Sequence, residues 1–299
     1  MTISFDILIY ALGYETRAQF VATNGIFQKT IALKYPSTEL HSYDSNLTLA
    51  IEREDTIIEV GFVPQTLESI LREATSSIDS ASGRLPTVCV DVSSLDRRTM
   101  AATLKVSMEL ADAAKFELSF AYSPAKFRRP PAESEPVLNF APLPGFEGWT
   151  ANPELPVSAI VGLGYEQDIS IGAVEFLDPS GVWTLMPVGR DDRFQKEVIK
   201  ANSDIWSLVP EERRLHYHVF DPSRTSASII NLCTGLIGRS RVVIVPTGPK
   251  IFGALCLVAQ RKLSNDVSVW RASQHSSSVI ADAEPDGEIV LFKYSPIPK

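Results

Sequence analysis

At 299 residues, with 44% hydrophobic and 21% charged residues, the chain has the composition of a folded globular protein and the length of one large or two ordinary domains, which excludes a disordered or fibrous chain. A formal net charge of −8 argues against broad non-specific binding to nucleic acid, which needs Lys and Arg to neutralise phosphates, and leaves room only for a local basic groove. No apolar run approaches the roughly 20 residues of a membrane span, Met1-Thr2-Ile3-Ser4-Phe5 lacks the basic start of a secretion signal, and Cys89, Cys233 and Cys256 read as reduced, buried thiols, so a cytoplasmic protein without a membrane partner is expected, as a monomer or a homodimer.

In chain order, the apolar run Phe5 to Leu12 predicts a strand that ends at Gly13-Tyr14-Glu15. A second strand over Thr30–Leu33 leads through Tyr43-Asp44-Ser45-Asn46 into a helical stretch, and a third, Ile57–Val60, precedes an amphipathic helix over Pro64–Ala74. Thr87–Asp91 is a fourth strand, whose Ser93-Ser94 turn opens a long apolar helix, and Phe116–Tyr122 closes the half. The Pro-rich stretch 127–156 reads as a connector, with its Pro142 to Trp149 piece packed on the second half of the chain.

The same order then recurs. Val157–Leu163 ends at Gly164-Tyr165-Glu166, 151 residues after the first copy of the turn. Val182–Met186, a helix over Phe194–Asn202, a strand over His216–Phe220, a helix over Ser223–Leu236, the strand Val242–Pro246 with its Thr247-Gly248 turn, and Val267–Arg271 come next. Short continuous apolar strands alternating with helices mark a parallel sheet covered on both faces. The prediction is therefore an α/β chain of two tandem Rossmann-like, doubly wound halves, 1–126 and 157–299, joined by 127–156, with the tail after His275 (Val279-Ile280 and Glu288–Phe292) as an edge hairpin of the second half.

In such sheets ligands bind beyond the carboxyl ends of the strands, where the strand order reverses. Glu15 and Asp91 terminate strands there and are the candidate acid/base groups, although each also fits a structural role, Glu15 as a helix cap and Asp91 as a ligand of the Ser93-Ser94 amides. Asn46 and Asn202 occupy corresponding places and suit either a base or sugar contact or a cap. Arg97 and Arg98 open a helix where cations are unfavourable unless an anion is near. Thr247-Gly248-Pro249-Lys250 resembles a phosphate-holding turn. His216 and His218 share a strand face, but no acid or cysteine cluster accompanies them, so no metal is predicted. No dinucleotide fingerprint appears, and no cofactor is predicted.

Gly13-Tyr14-Glu15-Thr16-Arg17, Asp91-Val92-Ser93-Ser94 and Thr247-Gly248-Pro249-Lys250 resemble a pattern in duplicated Rossmann-like proteins of bacterial anti-phage loci. One branch, the CARF and SAVED sensor domains, implies binding of a cyclic or linear oligonucleotide messenger, though this chain lacks a fused effector domain. The other, anti-phage DNA glycosylases, implies an N-glycosidase that removes a base, modified or not, from phage DNA or a nucleotide. On that reading Glu15 or Asp91 stabilises the cationic sugar or activates water and Asn46 orients base or sugar. Tyr14, Arg17, Ser93, Ser94, Arg98, Glu166, Thr247, Gly248 and Lys250 would bind substrate. The enzyme reading is taken first because acidic groups repel a phosphate-rich ligand but stabilise an oxocarbenium-like sugar.

Overall fold

The computed structural model describes residues 2–36, 40–130, 137–148, 152–166, 169–263, 266–274 and 282–297. They form two compact units, Met1–Lys126 with Ala281–Lys299, and Phe127–Ile280.

In the first unit β1 (Ile3–Leu12), β2 (Gly25–Lys34), β3 (Thr56–Glu59), β4 (Thr87–Asp91) and β5 (Glu117–Tyr122) lie parallel in the order β5-β4-β1-β2-β3. Central β1 is buried from Asp6 through Leu12, as its uninterrupted apolar run requires of a strand covered on both faces. The crossovers carry α1 (Phe20–Asn24), α2 (Tyr43–Glu52), α3 (Val63–Ser82) and α4 (Arg97–Asp112). Asp96 caps α4, accepting from the amides of Arg98 at 2.7 Å and Thr99 at 3.1 Å. Its carboxylate is the anion that offsets Arg97 and Arg98 at the positive end of the helix dipole.

The second unit repeats the plan with β7 (Val157–Gly162), β8 (Gly181–Val188), β9 (Arg214–His218), β10 (Arg241–Pro246) and β11 (Val267–Gln274) in the parallel order β11-β10-β7-β8-β9. Its helices are α5 (Ile169–Leu177), α6 (Asp192–Ala201), α7 (Ser203–Leu208), α8 (Pro222–Leu236) and α9 (Lys250–Leu263). The chain is thus an α/β protein of two tandem Rossmann-like halves.

Each sheet is completed by a sixth, antiparallel strand in the same place, drawn from a different part of the chain. Beside β11 it is β6 (Val137–Pro142), from within the Pro-rich stretch, and beside β5 it is β12 (Val290–Lys293), from the tail. The tail therefore does not edge the second half as the sequence led us to expect. It pairs Val290 with Tyr122 and Phe292 with Phe120, and Phe120 packs against both Phe292 and Tyr294 at 5.9 and 6.4 Å between ring centroids. The apolar side chains of the tail are matched to β5. The connector packs as expected, with Phe140, Leu143 and Phe146 buried in the second unit. Trp149 and the Val279-Ile280 part of the expected hairpin lie outside the described residues. The three cysteines are free and buried, and among the described residues no helix is long and apolar enough to cross a membrane.

Candidate functional site

The order β5-β4-β1-β2-β3 puts the strand reversal between β1 and β4, where loops from two strands splay apart and leave a crevice at their carboxyl ends. Both candidate carboxylates lie there. Glu15, three residues past β1, accepts from Arg17 Nε at 3.0 Å and from Ser94 Oγ, in the loop after β4, at 2.5 Å. Its carboxylate bridges the two loops and keeps 17% of its side chain exposed.

Beneath it, Asp91 is 2% exposed. Its Oδ1 accepts from the Ser93 amide at 2.9 Å and from Ser93 Oγ, and Ser93 Oγ in turn accepts from the Ser123 amide at 2.7 Å. Burial pushes the Asp91 carboxyl up to about 6, against the lowering by Ser93 and Arg17. Arg17 is itself buried and donates Nη1 to Ser123 O at 3.2 Å. Burial opposes its charge, but Glu15 and Tyr122 more than offset this and hold it above its ordinary value. One polar network therefore joins the ends of β1, β4 and β5, with Glu15 and Ser94 its half-buried members.

Asn46 serves this site from behind. It is buried, and its Nδ2 donates both protons to the turn, to Gly13 O and Glu15 O at 2.9 Å each. The same device recurs in the other unit, where Asn202 Nδ2 donates to Gly164 O at 2.8 Å. These asparagines hold the Gly-Tyr-Glu turn in both copies, and the Asn46 amide protons expected to reach a base or sugar are spent on backbone. Tyr14 is half-buried, with its hydroxyl raised by burial and then by Glu15. Ser93 is fully buried, whereas Arg98 is exposed on α4.

Sequence reading missed the far partners. Asp282 accepts from the Thr16 amide at 2.8 Å and from Thr16 Oγ1 at 2.6 Å, and Ala283 O accepts from the Arg17 amide at 2.9 Å. The tail so pins the turn from 266 residues away, a pairing no local pattern signals. Ser123 was findable, being the polar residue that ends the apolar run of β5.

In the second unit the reversal lies between β7 and β10, and there the crevice is closed by backbone. Gly248 has φ +75°, a Cβ on it would lie 2.5 Å from Leu163 O, and one on Gly164 would lie 2.5 Å from the Gly248 amide nitrogen. Thr247 Oγ1 donates to Gly162 O, which ties the two loops together. The small residues of the Thr247-Gly248 turn are thus explained by close approach of two loops. Glu166, exposed, folds its Oε2 back against Gly164, which brings negative charge to the place read as a phosphate turn. Lys250 is half-buried as the first residue of α9. His216 and His218 are exposed on β9, His216 with its ring 5.8 Å from that of Trp206.

No family model matches the chain, and no curated protein matches it. Among solved structures it is similar to the crystal structure of the cytoplasmic domain of a prokaryotic cation chloride cotransporter, at 11% identity over 91% of this chain and 96% of that one, with a TM-score of 0.24. A likeness at that score carries no argument about fold or activity.

Proposed function

We propose that the first unit hydrolyses the bond between a base and its sugar, in a nucleotide or in DNA, with Glu15 as the carboxylate that stabilises the cationic sugar. The observation that carries the reading is Glu15 itself: a partly exposed carboxylate at the strand-reversal crevice, gripped by Arg17 from its own loop and by Ser94 from the loop across. As the C–N bond stretches, positive charge builds on the sugar ring, and a carboxylate already oriented beside it stabilises that charge without reorganising. The water oxygen bonds to the anomeric carbon, the C–N electron pair leaves with the base, and one water proton stays on the new hydroxyl while the other ends on the base.

The remaining residues divide by exposure. Tyr14 offers the base a half-buried ring beside Glu15. Asp91, Ser93 and Asn46, all buried, act as positioning residues, the first two shaping the loop after β4 and Asn46 holding the turn after β1. Charge agrees with a cation-like transition state, since residues 1–126 and 281–299 hold 20 Asp and Glu against 13 Lys and Arg, a field that disfavours free polyphosphate. The same field weighs against DNA, so a free nucleotide is the first substrate to try, and the resemblance to anti-phage glycosylases adds phage DNA as the second. A target base within a duplex has to be flipped out.

The test is incubation with free nucleotides and with phage DNA carrying modified or unmodified bases, then mass spectrometry for released base. Free base together with abasic sugar is expected. Absence of free base from every substrate, with tight calorimetric binding of a cyclic oligonucleotide, would move the assignment to a messenger sensor.

A further inference from the structure

A second chemical surface lies at the carboxyl edge of the second sheet. Past β8 the chain reads Gly189-Arg190-Asp191-Asp192-Arg193-Phe194. The Arg190 guanidinium lies 4.3 Å from the centroid of the Phe220 ring, and that of Arg193 lies 4.6 Å from Phe127. Phe127 meets Phe194 edge-on at 5.2 Å, and Tyr165 stacks on Phe194 at 5.9 Å with planes 9° apart. The four rings are half-buried and both arginines are exposed.

An exposed guanidinium over a ring is flat and apolar enough to stack a base on its outer side, and its charge attracts phosphate; the Arg193 Nε and Nη2 edge is taken by Asp191. Bases are available to such planes when unpaired, whereas a duplex hides their faces, so the surface suits single strands. Net charge does not forbid it, because residues 127–280 carry 15 Lys and Arg against 16 Asp and Glu, and the acidic excess belongs to the other unit. Arg128 and Arg129, both exposed, come directly after Phe127. Asp191 pairs with Arg193 at 2.6 Å and Glu166 is exposed next to Tyr165, which limits the affinity and makes it salt-dependent.

We propose that this arginine-on-aromatic surface binds single-stranded nucleic acid, its bases stacking on the Arg190 and Arg193 planes and its phosphates drawn by the positive charge of Arg128, Arg129 and Arg190. The choice of nucleic acid over another anionic chain rests on the reading of Glu15 as acting at a base–sugar bond.

The experiment is fluorescence anisotropy of the full chain with labelled oligothymidylate and oligouridylate of about 12 nucleotides, a span one such surface covers, beside a duplex of equal length and polyglutamate. Either or both single strands are expected to bind, a preference naming the sugar, with the duplex and polyglutamate weaker by about tenfold or more. The double variant R190A/R193A should lose about tenfold or more while melting like the parent, and R190K/R193K, which restores charge without the plane, should recover only part of the loss. No binding of either single strand, equal binding of duplex or polyglutamate, parental binding by the alanine variant, or full recovery by the lysine variant would each overturn the proposal. Binding is read without any base being released. An inert protein that still binds strands therefore overturns only the Glu15 reading, and an active one whose binding ignores Arg190 and Arg193 overturns only this one.

Discussion

Asp91 and Asp6 are both buried aspartates on central strands of one sheet, yet their surroundings pull them in opposite directions. Asp6 is lowered to about 2, chiefly by the Arg84 hydrogen bond, so its contribution to stability is present above the unfolded value near 4 and is lost as pH falls toward 2. Asp91 is raised to about 6, chiefly by burial. The folded protein keeps its proton where the unfolded chain has released it, so this contribution is present below about 4 and lost as pH rises through about 6. Asp91→Asn keeps an oxygen for the Ser93 amide and removes the buried charge. We expect it to raise stability at pH 7.5 by about 1 to 3 kcal/mol and to flatten the denaturation midpoint between pH 4 and 6. A variant less stable than the parent at pH 7.5 would contradict this role for Asp91.

At the scale of elements, the Gly-Tyr-Glu turn was legible because it recurs, and so was the matching position of Asn46 and Asn202. Their task was not legible. Which way an amide points depends on how α2 or the end of α6 docks on the turn, and sequence spacing contains nothing of that. Asn46→Ala and Asn202→Ala should each take the side-chain donor from a turn carbonyl, Gly13 O or Gly164 O, and cost about 1 to 3 kcal/mol, read by chemical denaturation with tryptophan and far-ultraviolet signals. A cost below about 0.5 kcal/mol would mean that the turn does not need its asparagine. Gly248→Ala should likewise destabilise, because φ +75° and a Cβ meeting Leu163 O leave no room to relax. The parallel strands were readable from their apolar runs, whereas β6 was hidden by surrounding prolines, which an edge strand tolerates.

At the scale of the whole molecule, the duplication is legible and the tail is not, since strand propensity does not say which sheet edge a strand will join. The sixth strand is where the halves differ in origin, with β6 preceding its sheet and β12 returning to complete the first. Removing 281–299 should therefore bare the edge of β5 and free Thr16 and Arg17 from Asp282 and Ala283. Hydrogen exchange is expected to quicken in 117–122 and in the turn at 13–17 while 241–246 keeps its protection, and uniform quickening of both sheets would contradict that division. On the proposed reading, base release by the first unit turns most on Glu15, its partly exposed carboxylate at the strand reversal. Rates of base release from the best substrate should fall by about a hundredfold to a thousandfold in Glu15→Gln, as for other groups that stabilise transition-state charge, with little change in KM. A Glu15→Gln enzyme that releases base at the parental rate would contradict the central claim.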